Sequence, residues 1–161
     1  MNVDYILSVM NRHDVNYLLI GGMNFLLRHK PVMTYDVDFW IEDVEANRRA
    51  CEQALSELNA EWGSTEGDWG KVAQLPVGWL ARQSVYCLAS PHGAIDVFRA
   101  VRGLSSWRDS DRTAISGKTA DGFAYRGLSD EDMLACQLCL EPEIRKEDRI
   151  RELRKALEQH G

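Results

Sequence analysis

Three aspartates carry the chemistry this sequence is equipped for. In Tyr35-Asp36-Val37-Asp38-Phe39-Trp40 acidic and apolar residues alternate. That is the period of a strand, so Asp36 and Asp38 share one face and Val37 and Phe39 the other. Two carboxylates at i and i+2 on one strand face repel each other, and a divalent cation between them removes the penalty. A third carboxylate, Asp96, stands in the apolar run Ala94-Ile95-Asp96-Val97-Phe98. An acid in the middle of such a strand is costly to bury unless it is paired or ligated. An all-carboxylate donor set suits a hard ion, most naturally Mg²⁺.

The elements around these acids are legible in turn. Val15 to Ile20 reads as a core strand that ends in Gly21-Gly22, and a short helix follows from Met23 to His29. A Gly-Gly turn lets the backbone approach a ligand closely, and free N–H groups at a helix start hold phosphate. The same turn also serves as a plain strand-to-helix connection. Asn24 is near enough in sequence to assist. Arg28, His29 and Lys30 gather positive charge before the acidic strand. They either balance phosphates or form a polar helix end favoured by the dipole. Thr34 is placed to orient the loop or an acid through a local hydrogen bond.

The remaining chain supplies the scaffold. A helix is expected over Asn2–Arg12 and another over Val44–Asn59, where Asn47 interrupts an otherwise apolar stripe. Residues 61–83 are punctuated by Gly63, Gly67, Gly70, Pro76 and Gly78 and read as irregular. Trp62, Trp69 and Trp79 in that segment either line a cleft or staple it to the core. Ser84–Ala89 and Ala94–Phe98 form a hairpin across Ser90–Gly93. A short helical element is expected over Leu104–Arg108, and a β segment over Thr113–Tyr125. Ser129 is a good N-cap for a helix reaching about Leu140, with Asp132 in its first turn, and a last helix runs over Glu143–Gln159.

Composition narrows the class. A formal net charge of -6 argues against a dedicated duplex DNA binder. No apolar run approaches the roughly 18 residues of a membrane span, and Asp4 interrupts any leader-like run after Met1, so a cytoplasmic protein without membrane contact is expected. Cys51, Cys87, Cys136 and Cys139 read as small buried hydrophobes, since Cys136-x₂-Cys139 has no second pair to complete a zinc set.

The ordered set of Gly21-Gly22, a short helix, Thr34-x-Asp36-x-Asp38 and Asp96 on a later strand resembles the nucleotidyltransferase superfamily, with its polymerase-beta-like fold. Within it the chain is similar to small bacterial members related to toxin–antitoxin and phage-defence systems. The resemblance implies an α+β fold: a mixed β-sheet packed with helices and a C-terminal helical pair. It divides the chain into a core over 1–127 and a helical extension over 128–161. It implies Mg²⁺-dependent transfer of an NMP from an NTP to an acceptor hydroxyl, with release of pyrophosphate. Asp36 and Asp38 would hold Mg²⁺ on the nucleoside triphosphate, and Asp96 would join them at a second ion and at the acceptor. Gly21, Gly22, Asn24, Thr34, Arg28 and Lys30 would serve the nucleotide.

The chain departs from that pattern at three positions. Gly22 stands where a serine is common, Val32 where an arginine is common, and Gln137 at the place of a helical lysine. Arg145-Lys146-Glu147-Asp148 matches an arginine–lysine–aspartate segment with one extra residue before the acid. Arg28 or Lys30 would replace the cation missing at 32. The acceptor is left open between a tRNA end, a protein and a small molecule. The alternative is a non-catalytic nucleotidyltransferase-like protein of toxin–antitoxin type that binds or regulates a protein partner, or self-associates.

Overall fold

A computed structural model describes residues 1–160. Helix α1 (Val3–Arg12) is capped by Asn2, whose side chain accepts the Tyr5 N–H at 3.1 Å, and it turns Ile6, Leu7, Val9 and Met10 into the core. Strand β1 (Tyr17–Ile20) starts two residues later than the apolar run suggests. Val15 instead closes the end of α1, its N–H donating to Met10 C=O at 3.1 Å. Asn16 is clasped on both backbone groups by Asn47, at 2.7 and 2.9 Å. Asn47 therefore belongs to the buried stripe of α3 (Glu45–Glu57) because its amide replaces a strand partner.

Helix α2 (Gly21–Arg28) follows β1 without a linker. Strand β2 (Asp36–Ile41) then returns antiparallel to β1, with Ile20 opposite Asp38 and Leu18 opposite Trp40. After α3 come a two-residue ribbon, β3 (Glu61–Trp62) with β4 (Gly70–Lys71), and 3₁₀ turns at Val72–Gln74 and Trp79–Arg82. Strands β5 (Val85–Leu88) and β6 (Ala94–Phe98) form the expected hairpin, and β6 lies parallel to β2. Helix α4 (Trp107–Thr113) begins later than expected because Ser106 caps it, accepting the Asp109 N–H at 3.1 Å. Strands β7 (Ile115–Lys118) and β8 (Ala124–Gly127) complete a six-stranded mixed sheet in the order β5-β6-β2-β1-β8-β7.

Helix α5 (Asp130–Leu138) is capped by Ser129, as the sequence implies, and α6 (Glu147–His160) closes the described chain. The start of α6 is four residues later than expected. Pro142–Ile144 forms a 3₁₀ turn, and the Gln137 side chain accepts the Lys146 N–H at 2.8 Å. The fold is thus α+β, with a central sheet packed by helices and a C-terminal helical pair.

Strand alternation sends the two sheet faces into separate cores. Leu19, Val37, Phe39, Ile95 and Val97 pack against α1 and α3. Leu18, Ile20 and Trp40 lie on the aspartates' face and pack against Phe25, Leu128, Met133 and Leu153. An entirely open face on the aspartates' side is therefore not what forms. Trp40 and Ile20 share that face and have to be covered, so α5 and α6 cover it and leave the carboxylate end half-exposed.

The irregular segment is stapled down. Buried Glu52 accepts the Gly78 and Leu80 N–H groups at 2.9 Å each. Tyr86 donates its hydroxyl to Trp79 C=O, and Trp62 meets Tyr86 edge-on at 5.2 Å. Trp69 is left exposed. Among the cysteines Cys51 is buried and Cys136 and Cys139 are half-buried, but Cys87 is exposed, which corrects the expectation of four buried thiols. No described helix is long and apolar enough to cross a membrane.

Candidate active site

Asp38 and Asp96 are direct partners across the parallel β2–β6 pair, and Asp36 lies one side-chain repeat away on the same face. One carboxylate oxygen from each of the three lies within 4.8 Å of the others, and this is the one converging group of possible metal ligands among the described residues. Burial, followed by the charges of Asp36 and Asp96, pushes the Asp38 carboxyl up to about 8. Burial, followed by Asp36, pushes Asp96 up to about 6. Ionising Asp38 and Asp96 therefore works against both burial and the charges of their neighbours. Asp38 Oδ1 is buried without a hydrogen-bond partner. An orphaned carboxylate oxygen inside an all-oxygen donor set fits a hard divalent cation, which would supply the missing positive charge.

The start of α2 is built against these acids. Gly21 has φ +70°, and a Cβ there would stand 2.5 Å from Asp38 Oδ2, so only glycine fits. A Cβ on Gly22 would stand 3.0 Å from Thr34 Oγ1 and 3.3 Å from an Arg149 Nη2. No side chain caps α2, which leaves its first N–H groups for another acceptor. Thr34 donates its hydroxyl to Asp36 C=O at 3.3 Å and so steadies the entry to β2.

Other residues singled out in the sequence are engaged inside the protein. Asn24 is fully buried and donates to Leu128 C=O at 3.1 Å, and a Cβ on Gly127 would run into its Oδ1. It ties α2 to the end of β8. Arg28 donates to Leu128 C=O at 3.0 Å and pairs with Asp130 at 3.2 Å, both side chains being about 14% and 13% exposed. His29 meets the same carboxylate at 2.7 Å. Lys30 reaches Glu152 at 3.8 Å in an exposed pair. Arg28 is thus committed to the core edge, and Lys30 points towards α6.

Two site neighbours lay outside the sequence reading. Cys87, opposite Asp96 on β5, borders the acids, and desolvation followed by the charge of Asp96 pushes its thiol up. Arg149 comes from α6, 127 positions after Gly22. Nothing local in the sequence connects it to the glycines.

No family model matches the chain, and no curated protein matches it. Solved structures do. The lincosamide antibiotic adenylyltransferase LnuA, lincomycin-bound, is similar at a TM-score of 0.61 and 15% identity, over 93% of this chain and 92% of that one. ANT(2″)-Ia in complex with adenylyl-2″-tobramycin is similar at 0.56 and 14%, over 97% and 86%. A Thermotoga maritima protein assigned as a nucleotidyltransferase is similar at 0.51 and 17%, over 96% and 89%. The chain shares the fold of these three structures, and it carries a candidate metal-binding triad of Asp36, Asp38 and Asp96.

Proposed function

We propose that the protein transfers an NMP from a nucleoside triphosphate to an acceptor hydroxyl and releases pyrophosphate. The observation that carries this reading is the convergence of three carboxylates on the sheet, immediately beside an uncapped glycine helix start, in a fold shared with solved nucleotidyltransferases. Asp36 and Asp38 would hold Mg²⁺ on the triphosphate, and Asp96 would join them at a second ion. Divalent ions held by these carboxylates would lower the acceptor's pKa and neutralise charge on the leaving pyrophosphate.

The chain's own contribution is positional. Asp96 orients the acceptor hydroxyl and receives its proton. The freed oxygen attacks the α-phosphorus as the bond to the β-phosphate's bridging oxygen breaks, and pyrophosphate leaves with that electron pair. Gly21 and Gly22 let the phosphate chain lie on the backbone N–H groups of α2. The gain comes from alignment and fixed charge.

The acceptor is a tRNA end, a protein or a small molecule. Incubation with each α-labelled NTP, Mg²⁺ and host extract tests the reading and assigns the acceptor class. Label entering one fraction with the unmodified protein, and not with Asp96→Asn, supports it. Val32 and Gln137, which leave two expected cations out, favour the second reading, a nucleotidyltransferase-like regulator of toxin–antitoxin type. Tight capture of a protein partner with no label in any fraction would establish that one.

A further inference from the structure

We infer that Arg149 binds the distal phosphates of the triphosphate and makes the site select NTP over NMP. This rests on the nucleotidyl-transfer reading and deepens it, and it assigns a task to a residue from the far end of the chain.

Three observations carry it. Arg149 is half-buried, yet among the described residues its guanidinium makes no ion pair or hydrogen bond. Its Cζ lies 5.8 Å from the Phe25 ring centroid, so the α2 aromatic fixes the group by a cation–π contact and leaves its N–H fork free. Its Nη2 and Thr34 Oγ1 both stand within van der Waals reach of the space beside Gly22 Cα. The space beside Gly21 Cα opens in turn onto Asp38 Oδ2. A continuous path therefore runs from the carboxylates, across the first two residues of α2, to a planar cation. A phosphate chain whose α-phosphate is held near the acids would place its later phosphates towards Arg149. A guanidinium binds such oxygens two at a time.

The same geometry explains why nearer cations do not take this task. Arg28 and His29 converge on Asp130, and Lys30 reaches Glu152. Gln137 spends its carbonyl on the Lys146 N–H. That tether fixes the residue before α6, one turn ahead of Arg149.

Calorimetry with the four Mg-NTPs, their monophosphates and inorganic tripolyphosphate separates the possibilities. Arg149→Ala is expected to weaken Mg-NTP binding by about 10–100-fold, the scale of a lost charged hydrogen-bond pair, and to leave NMP affinity within about twofold. Tripolyphosphate should compete with Mg-NTP in the unmodified protein and lose that ability in the variant. Arg149→Lys keeps the charge without the fork and should fall between the two. It also serves as the test variant if the alanine form melts early. Unchanged NTP-over-NMP preference in Arg149→Ala, with the unmodified protein binding and transferring normally, overturns this assignment alone. An unmodified protein that binds no Mg-NTP overturns both the assignment and the nucleotidyl-transfer reading.

Discussion

Asp38 and Asp96 stand directly opposite each other on neighbouring parallel strands, two carboxylates set as immediate cross-strand neighbours. A fold selected for stability alone would not place like charges there. The arrangement stores repulsion that a bound cation releases.

Removing either β2 acid should therefore separate binding from stability. Asp36→Asn and Asp38→Asn are each expected to weaken Mg²⁺-dependent NTP binding by about 10–100-fold, the scale on which an altered ligand shell acts. Asp38→Asn should also raise the melting temperature of the metal-free protein at pH 8 by about 3–6 °C, which is what ~1–2 kcal/mol gives in a chain of this size. Calorimetry and thermal melts check both halves. Unchanged NTP affinity in both variants would count against the triad as a metal site.

The pH dependence has a definite sign. Asp38 and Asp96 are raised from 3.8 to about 8 and about 6 in the folded protein. Between those values the unfolded chain holds fewer protons than the folded one, so metal-free stability should fall as pH rises from about 4 to about 8. Asp43 works the opposite way at lower pH, because its hydrogen bonds to Arg99 hold its carboxyl down. The clean measurement is therefore the difference in melting temperature between the unmodified protein and Asp38→Asn across this range. That difference should widen with pH and shrink when Mg²⁺ is added; a flat difference would contradict the repulsion argument.

The triad was legible in the sequence because its cause is local. Period-two alternation puts Asp36 and Asp38 on one face, and Asp96 stood out as an acid inside an apolar strand. The β5–β6 hairpin, the cap at Ser129 and the glycine turn follow from similarly short-range rules. The cations were not legible. Arg28 and Lys30 sit near the site in sequence, but their partners, Asp130 and Glu152, arrive from the last two helices. Arg149 and Cys87 reach the site only through sheet order and helix packing. Asn24 likewise has a partner that no local pattern shows. Its partner, Leu128 C=O, is supplied by the end of a parallel crossover 104 residues away.

Asn24 consequently gives a prediction about stability. Asn24→Ala removes one of the two donors to Leu128 C=O, Arg28 being the other, and should cost about 0.5–1.5 kcal/mol, the net worth of one hydrogen bond. NTP affinity of the folded fraction should stay within about twofold, measured by titration well below the melting temperature. A large loss of affinity with unchanged stability would return Asn24 to the nucleotide site.

The central claim is that the triad performs transfer and does more than hold a nucleotide, and Asp96→Asn tests it most directly. Single-turnover transfer from α-labelled NTP and Mg-NTP affinity are measured on the same preparation, with the acceptor fraction identified by labelling. An acid that acts chiefly in the transition state should cost far more rate than affinity. The account predicts a rate loss of about 100-fold or more, on the scale of general-base removal, with affinity changed by less than about threefold. Transfer that survives in Asp96→Asn at the unmodified rate would contradict it.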